Sequence, residues 1–242
     1  MRNLIKSTVL FPIFVLGLLF GVPVHAETVT ANEVAQLLAA DSTRLDYFGA
    51  AVAVDGNTAL IGSYGDDDQG GASGSVYVFM RDSEGVWTQS QKLVASNGHG
   101  NLNFGMSIAL EGDTALIGST SKAYVFMRDS TGVWSEQQYL TGSPYNPERF
   151  GNAVALDGNT ALICAVRDNL IGLYRHYAGS AFVFTRDSSG LWSQQQKLTA
   201  SDLSATDGHD HFCNSAALDG DTAVIGAYGA DDYGANFGEG AA

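Results

Sequence analysis

The sequence has 242 residues, of which 29 are glycine and 4 are proline, and its 26 Asp and Glu residues outnumber 12 Lys and Arg. This length allows a sizeable core, and the scarcity of proline argues against a disordered, Pro-rich chain. The formal net charge of −14 argues against a nucleic-acid partner, because phosphate binding needs clustered Lys and Arg.

Residues 1–26 have the three parts of a secretory signal peptide. Arg2 and Lys6 give a positive start, an apolar run extends from Val9 to Phe20, and Val24-His25-Ala26 is a cleavage site of the small-x-small type. The apolar run is shorter than the roughly 20 residues that span a bilayer. We therefore expect residues 27–242 to be secreted, in an extracellular or periplasmic location, with no membrane span.

Residues 33–40 resemble a single strand placed before the first repeat. Their sequence matches the ends of later repeats, such as Gln91-Lys92-Leu93 and Gln196-Lys197-Leu198. In a ring of repeats this segment would complete the terminal unit and cover its open edge. The alternative is a loose N-terminus whose similarity is accidental.

A two-strand pattern is then repeated four times along the chain, and it begins with Phe-Gly in three copies and with Phe212-Cys213 in the fourth. It starts at Phe48, Phe104, Phe150 and Phe212, with spacings of 56, 46 and 62 residues. Periods of this size are typical of propellers and other repeat arrays.

Each full repeat contains four strand-like runs separated by two hairpin signals. In the first repeat the runs begin at Ala50, Thr58, Ser75 and Trp87. The first two runs are almost uniformly apolar, as expected of strands buried on both faces. Asp55-Gly56-Asn57 and the later Gly85 predict tight turns, because these residue types accept a positive φ at little cost.

The fall in hydrophobicity from the first to the fourth run gives a radial order, with the first strands at the centre and the polar fourth strands facing solvent. A four-stranded antiparallel blade repeated around an axis is a β-propeller. A linear β-solenoid is the main alternative, but its repeats are usually shorter. We predict an all-β, incomplete β-propeller with three full blades at about 46–98, 102–142 and 148–201 and half of a fourth at 210–242. Further blades or partner strands would be needed to close its ring.

The Phe-Gly starts, the Leu-Ile-Gly ends of the second strands and third strands such as Gly74-Ser75-Val76-Tyr77-Val78-Phe79 resemble the FG-GAP repeat. That repeat builds the N-terminal propeller of integrin α chains, and bacterial secreted proteins carry similar arrays. The resemblance covers about residues 33–242. It implies a propeller that acts in cell adhesion or ligand binding outside the cytoplasm.

Integrin-type repeats often carry an aspartate-rich calcium loop between their first two strands. Here that loop is reduced to Asp55-Gly56-Asn57, Glu111-Gly112-Asp113, Asp157-Gly158-Asn159 and Asp219-Gly220-Asp221. Calcium takes about six to eight oxygen ligands, which so short a turn does not supply. The calcium site of the family is therefore not carried over to these turns.

Two acidic loops after second strands are the remaining calcium candidates. Asp66, Asp67 and Asp68 follow the second strand of the first repeat, and Asp231 and Asp232 hold the equivalent place in the fourth. Our hypothesis is that they bind calcium with help from the backbone. The alternative is a solvated acidic loop, because two or three carboxylates fall short of a calcium shell.

Two further groups of residues are candidates for metal or redox chemistry. Asp207-Gly208-His209-Asp210-His211 is dense in metal-ligating side chains, but a polar loop is favoured over a zinc site because no third and fourth ligands are evident. Cys164 and Cys213 each replace a glycine of the repeat, at positions that the predicted antiparallel strands place at the same end of adjacent blades. With an export signal, a disulfide between them is one interpretation, and two separate buried thiols are the other.

Catalytic motifs such as Gly-x-Ser-x-Gly, a phosphate loop or His-Glu-x-x-His are missing from the sequence. Trp87, Trp134 and Trp192 share one repeat position, which favours packing over sugar stacking. We predict a non-catalytic binding or adhesion module that contacts an extracellular protein or glycan through blade-end loops. The alternatives are a propeller-fold polysaccharide lyase or hydrolase, since fold does not determine function, and a degenerate fragment without a function of its own.

Overall fold

The computed structural model describes residues 35–142, 149–168, 177–201 and 211–229. The predicted signal peptide and the candidate ligands Asp231 and Asp232 lie outside these residues. The chain divides into two units, residues 1–38 and residues 39–242. All the strands of the described residues belong to the second unit. These residues contain no helix that is long and apolar enough to cross a membrane.

The predicted closing strand at 33–40 is only partly described. Residues 33 and 34 lie outside the described range, and residues 35–39 form no strand. Ala40 belongs to the second unit, where its N–H donates a 3.0 Å hydrogen bond to the Gln89 side chain. A closing role for this segment stays a prediction.

Fourteen strands form three four-stranded antiparallel sheets and one two-stranded sheet, in chain order, so the predicted array of three full blades and half of a fourth is confirmed over the described residues. Blade 1 contains β1 (Val52–Asp55), β2 (Thr58–Ser63), β3 (Ser75–Arg81) and β4 (Trp87–Leu93). Blade 2 contains β5 (Ser107–Glu111), β6 (Thr114–Gly118), β7 (Ala123–Arg128) and β8 (Trp134–Leu140). Blade 3 contains β9 (Phe150–Asp157), β10 (Thr160–Ala165), β11 (Ser180–Arg186) and β12 (Trp192–Leu198). Blade 4 is described as the hairpin of β13 (Phe212–Asp219) and β14 (Thr222–Ala227).

Both predicted turns form, and glycine is the residue that permits them. Gly56 begins the two-residue turn between β1 and β2 with a φ of 55°, and Gly85 ends the turn between β3 and β4 with a φ of 85°. Glycine accepts these left-handed angles without steric cost. Asp82 completes the second turn, because its carboxylate accepts the Glu84 and Val86 N–H groups at 2.9 and 2.8 Å.

The burial of the first strands differs from the prediction. The second strand β2 is buried at all six positions, as predicted, but three of the four residues of β1 are exposed. Val52 and Val54 of β1 are 69% and 68% exposed. The prediction that the first strand is buried on both faces is therefore wrong for β1, whereas the equivalent strand β9 has no exposed residue. The physical reason is that β1 is the edge strand of its sheet, so its cover must come from a neighbouring blade.

Hydrophobic clusters join each blade to the next. Between blades 1 and 2, Leu60 and Val78 pack in one cluster with Trp134, and Ile108 and Leu110 of β5 pack against it. Equivalent clusters form between blades 2 and 3 and between blades 3 and 4. The predicted packing role of the tryptophans holds for Trp134, which is 2% exposed.

Acidic residues of the first turns make a polar contact across each junction. The Asp55 carboxylate accepts the Gly112 N–H of the next blade at 2.6 Å, and the Glu111 carboxylate accepts the Gly158 N–H at 2.6 Å. The Gly220 N–H donates to Asp157 in the same way. These acidic residues occupy the turns in which integrin-type repeats often carry a calcium loop. Here they form hydrogen bonds between neighbouring blades.

Arginines at the ends of third strands make a second repeated contact. The Arg128 Nη1 donates to the Thr58 hydroxyl of the preceding blade at 2.8 Å, and the Arg186 Nη1 donates to the Thr114 hydroxyl at 3.2 Å. Each arginine also lies over the tryptophan of its own blade, at 5.5 Å for Arg128 and Trp134.

Close backbone approach is the third repeated feature of the junctions. A Cβ atom on Gly62 would overlap the carbonyl oxygen of Gly105, and one on Gly118 would overlap that of Gly151. At these two junctions the positions need glycine, because a Cβ atom would meet the backbone of the facing blade. At the third junction the equivalent positions are Cys164 and Cys213, which form a disulfide with a Cα–Cα distance of 5.2 Å.

Candidate binding surface

The loops before the Phe-Gly segments and the loops after the second strands lie at one end of the blades, which we call the Phe-Gly end. Gly74 forms a parallel bridge with Phe104 of the next blade, and the Phe104 N–H donates to the Ser73 carbonyl at 3.0 Å. Gly179 and Phe212 form the same bridge between blades 3 and 4. Neighbouring blades therefore share one backbone scaffold at this end.

Each Phe-Gly phenylalanine lies between two residues with left-handed backbone angles. The following residue has a φ of 91° at Gly49, 88° at Gly105, 100° at Gly151 and 67° at Cys213. The preceding residue has a φ of 56° at Tyr47, 53° at Asn103, 57° at Arg149 and 51° at His211. Such angles are uncommon outside glycine and often mark functional sites. Their recurrence in every blade instead indicates a structural role in burying the phenylalanine ring, which is fully buried at Phe104 and Phe150.

A lysine surrounded by three aspartates is the main charged cluster of the Phe-Gly end. The Lys92 ammonium lies 2.8 Å from Asp41, 2.8 Å from Asp66 and 2.5 Å from Asp68. The Tyr77 hydroxyl donates to Asp41 at 2.8 Å and to Asp66 at 3.0 Å. Asp66 is buried, so its charge needs these partners.

The pKa shifts in this cluster follow from burial and charge pairing. Burial opposes the charge of Lys92, but its hydrogen bonds to Asp41, Asp66 and Asp68 raise the pKa of the ammonium. Burial also opposes ionisation of Asp66, but Lys92, the Asp68 N–H and Tyr77 together lower the pKa of its carboxyl. The hydrogen bond from Lys92 lowers the pKa of Asp41 as well. The cluster is an ionised network with the lysine protonated at neutral pH.

Blade 3 contains a simpler lysine–aspartate ion pair, and blade 2 contains a lysine–tyrosine contact in its place. Lys197 lies 2.5 Å from Asp168, which also accepts the Ser180 hydroxyl at 2.7 Å. In blade 2 the position of the lysine is occupied by Tyr139, and Lys122 lies over its ring at 4.4 Å. In blades 1 and 3, a lysine near the end of the fourth strand thus accompanies an aspartate after the second strand.

The candidate calcium ligands of blade 1 take part in this lysine network. Asp66 and Asp68 contact the ammonium of Lys92, and Asp67 is exposed. Among the described residues, no group of three His, Cys, Asp or Glu side chains is arranged to hold a metal ion. Calcium binding at Asp66, Asp67 and Asp68 stays a prediction, and a calcium ion there would have to displace the lysine.

Exposed aromatic rings are the second feature of the Phe-Gly end. Tyr47 stacks on Tyr64 with ring centroids 4.9 Å apart, and Tyr47 is 53% exposed. In blade 4, His211 stacks on Tyr228 with centroids 4.7 Å apart, and Tyr228 is 56% exposed. These are equivalent positions of the repeat, since Tyr47 and His211 each precede a Phe-Gly phenylalanine.

The blade 4 stack extends into a column across the junction with blade 3. Tyr177 also stacks on His211, with ring centroids 6.0 Å apart, and the Arg167 guanidinium lies 5.1 Å from the Tyr177 ring. Of the predicted metal-ligating segment, only His211 is described, and its ring stacks on Tyr228 and Tyr177. The other members of the segment lie outside the described residues, so the choice between a polar loop and a zinc site stays a prediction. Flat aromatic faces that keep one side in solvent are suited to stacking on sugars or on aliphatic and aromatic side chains.

The sequence predictions missed several residues of this surface. Asp41, Asp168, Lys92 and Lys197 were not identified as partners, although the Gln-Lys-Leu motif at 91–93 and 196–198 carried the signal. The aromatic pairs were missed because Tyr47 and Tyr64 lie just outside two different repeat motifs, and the left-handed turn before Phe48 brings their rings together.

The sequence model of a family described as FG-GAP repeat matches residues 31–79, 87–126, 134–184 and 192–242. The segments 87–126 and 134–184 each begin with the fourth strand of one blade and end in the third strand of the next. The sequence repeat is therefore offset by one strand from the sheet.

The chain resembles solved structures rather than curated proteins. No curated protein matches the chain. A crystal structure of a protein from Lactobacillus plantarum matches with 17% sequence identity and a TM-score of 0.45, over 73% of this chain and 46% of that one. The chain thus spans about half the length of that protein.

Proposed function

Because the chain belongs to the FG-GAP repeat family, we propose that it is an exported, non-catalytic binding module that contacts a protein or glycan through its Phe-Gly end. The observation that carries this proposal is the exposed aromatic surface at that end. Tyr47 and Tyr228 each expose about half of the residue's surface, although each is stacked on a second ring. An aromatic face that is fixed in place loses little conformational entropy when a ligand covers it.

Rigid support for the loops favours binding over a purely structural role. The bridges Gly74 to Phe104 and Gly179 to Phe212 fix the loop backbones, and the Lys92 network fixes the loop that contains Asp66 and Asp68. Loops on a rigid scaffold are the usual place for recognition. The disulfide between Cys164 and Cys213 supports export, because disulfides persist in oxidising compartments.

The binding experiment uses the purified chain and immobilised panels of glycans and extracellular proteins. We expect a ligand whose binding weakens about tenfold or more in Tyr47→Ala or Tyr228→Ala, as in typical aromatic hot spots. Val133→Ser is the matched control, since Val133 is 52% exposed at the opposite end of the blades. Binding that is equally sensitive to Val133→Ser, or insensitive to both tyrosine variants, would contradict the proposed surface.

Export and the lack of catalysis have separate tests. N-terminal sequencing of the protein from a secreting host should give Glu27 as the first residue if the predicted cleavage occurs after Ala26. Incubation with the bound glycan should leave its chain length unchanged, and depolymerised product would favour the lyase or hydrolase alternative.

A further inference from the structure

The two ends of the blade array expose complementary halves of the junction that joins the blades internally. We propose that the open face of β13–β14 in one copy of the chain docks onto the open face of β1 in blade 1 of a second copy. The contact is head-to-tail, because one surface belongs to the last described blade and the other belongs to the first. Four features of the internal junctions support this assignment.

The apolar positions provide the first feature. Leu60, Leu116 and Leu162 are equivalent residues of the second strands, and they are 0%, 1% and 1% exposed beneath the next blade. Val224 holds the same position in β14 and is 55% exposed. Across the junction, Ile108 and Leu110 pack on the preceding blade, whereas the equivalent Val52 and Val54 of β1 are 69% and 68% exposed. Val224 is therefore left for a strand such as β1 to cover.

The turn carboxylates provide the second feature. Asp55, Glu111 and Asp157 each accept the glycine N–H of the next blade. Asp219 is the fourth member of this series, and its carboxylate accepts no hydrogen bond from the described residues. The Gly56 N–H of blade 1 is the matching donor, and no acceptor for it is found within the same part of the chain.

The repeated arginine contacts provide the third feature, and they also join each blade to the preceding one. Arg128 and Arg186 donate through Nη1 to a threonine hydroxyl of the preceding blade. Arg81 uses Nε and Nη2 within its own blade, on Asn57 and Gly56. Its Nη1 is available to the hydroxyl of Thr222 in a second copy. Thr222 is the residue of blade 4 that is equivalent to Thr58.

The glycine positions provide the fourth feature and fix the register. Gly62 meets Gly105, Gly118 meets Gly151, and Cys164 is bonded to Cys213. Two positions of this series have no facing partner among the described residues. They are Gly226 in the last described blade and Gly49 in the first. A Cβ on Gly49 would contact nothing within 4 Å, and one on Gly226 would meet first the Ser215 side chain of its own blade at 2.6 Å.

All four features place β14 of one copy against β1 of the other in the same orientation. An interface of this type is heterologous, and it closes into a ring only if the rotation between copies allows it. The contact requires no ligand, so it is independent of the proposed binding function.

Engineered cysteines at the two unmatched positions test the register directly. Gly226→Cys and Gly49→Cys variants are mixed in a glutathione redox buffer, and the product is analysed by non-reducing electrophoresis and peptide mass spectrometry. We expect a disulfide between positions 226 and 49 of different chains, as at Cys164 and Cys213. Cysteine is tolerated at the Gly49 type of position, because Cys213 adopts a φ of 67° there. A mixture of Gly226→Cys with Val86→Cys is the matched control, and cross-linking at an equal rate in both mixtures would overturn the proposal.

Sedimentation equilibrium of the full chain gives a second readout without engineered cysteines. We expect an average mass that rises with concentration, and an association that weakens about tenfold in Asp219→Asn, because the amide oxygen accepts the hydrogen bond without a charge. Asp67→Asn removes the same charge from an exposed loop and should leave the association unchanged. A mass that stays monomeric at all concentrations, or an Asp219→Asn variant that associates like the wild type, would overturn the proposal.

Discussion

At the scale of single residues, Lys92 is the side chain on which the charge balance of blade 1 depends most. Its ammonium contacts three carboxylates, and one of them, Asp66, is buried. Removing one partner of a buried pair leaves an uncompensated charge, which costs more than the pair itself contributes. The cluster is therefore a point at which one substitution should have a large effect.

We predict that Lys92→Met lowers the free energy of unfolding by about 3 kcal/mol at neutral pH. Urea denaturation of the two proteins measures the difference. Lys122→Met is the matched control, because Lys122 contacts the ring of Tyr139 and a cation–π contact of this kind contributes about 1 kcal/mol. Adding Asp66→Asn to Lys92→Met should recover part of the loss, and a double variant less stable than Lys92→Met would contradict this account.

The pH dependence of this effect has a defined sign. The pKa values of Asp66 and Asp41 are lowered in the folded state, so their stabilising contribution is present above the unfolded-state pKa of about 4. It is lost as the pH falls through the folded-state pKa values. The stability difference between wild type and Lys92→Met should therefore be largest near neutral pH and shrink below about pH 4. Urea denaturation from pH 7 to pH 3 tests this, and a difference that grows on acidification would contradict it.

At the scale of the strands, the hairpin of first and second strands is the part that sequence predicts best. The Asp-Gly turn and the apolar run from Thr58 to Ile61 gave the positions of β2 (Thr58–Ser63) and of its equivalents. The burial of β1 was predicted wrongly, because an apolar edge strand has the same composition whether or not another blade covers it. An apolar composition shows that burial of a strand would be favourable. Whether the strand is buried depends on its position in the sheet and on the presence of a neighbouring blade.

We predict that Gly62→Ala destabilises the protein by about 1 to 3 kcal/mol, since the added methyl group meets the backbone of Gly105 and forces the two blades apart. Thermal or urea denaturation measures the change. Gly71→Ala is the matched control, because a Cβ at Gly71 has no neighbour within 4 Å, and it should stay within about 0.5 kcal/mol of wild type. Equal effects of the two substitutions would show that close blade approach does not require glycine at Gly62.

At the scale of the whole molecule, the chain behaves as an array in which each blade is stabilised by its neighbours. The repeat period, the position of the Phe-Gly motif and the number of blades were predictable, because the same motif recurs several times in the sequence. The Lys92 network and the aromatic column were not, because each joins residues from separate loops that are brought together only by the packing of adjacent strands. The candidate site thus depends on contacts between loops, which a repeat pattern does not encode.

In such an array the unit with the fewest neighbours should open first. Blade 4 is described as one hairpin, and β14 is exposed at its first three residues, whereas β6 is buried throughout. The Cys164–Cys213 disulfide fastens this hairpin to blade 3 and closes a loop with a sequence separation of 49. Loop closure of this size contributes roughly 4 kcal/mol to stability in the chain-entropy account.

Hydrogen exchange measured by mass spectrometry, with and without a phosphine reductant, tests this order of opening. We predict the slowest exchange in β6 and β10 and faster exchange in β14, because protection follows burial. Reduction should accelerate exchange in Thr222–Ala227 by about tenfold or more, since the hairpin then loses its covalent link to blade 3. Exchange in β2 should stay unchanged, because blades 1 and 2 share their own hydrophobic cluster and no disulfide. Equal acceleration in β2 and β14 would show that the blades unfold as one cooperative unit, and unchanged exchange in β14 would show that packing alone holds the hairpin on blade 3.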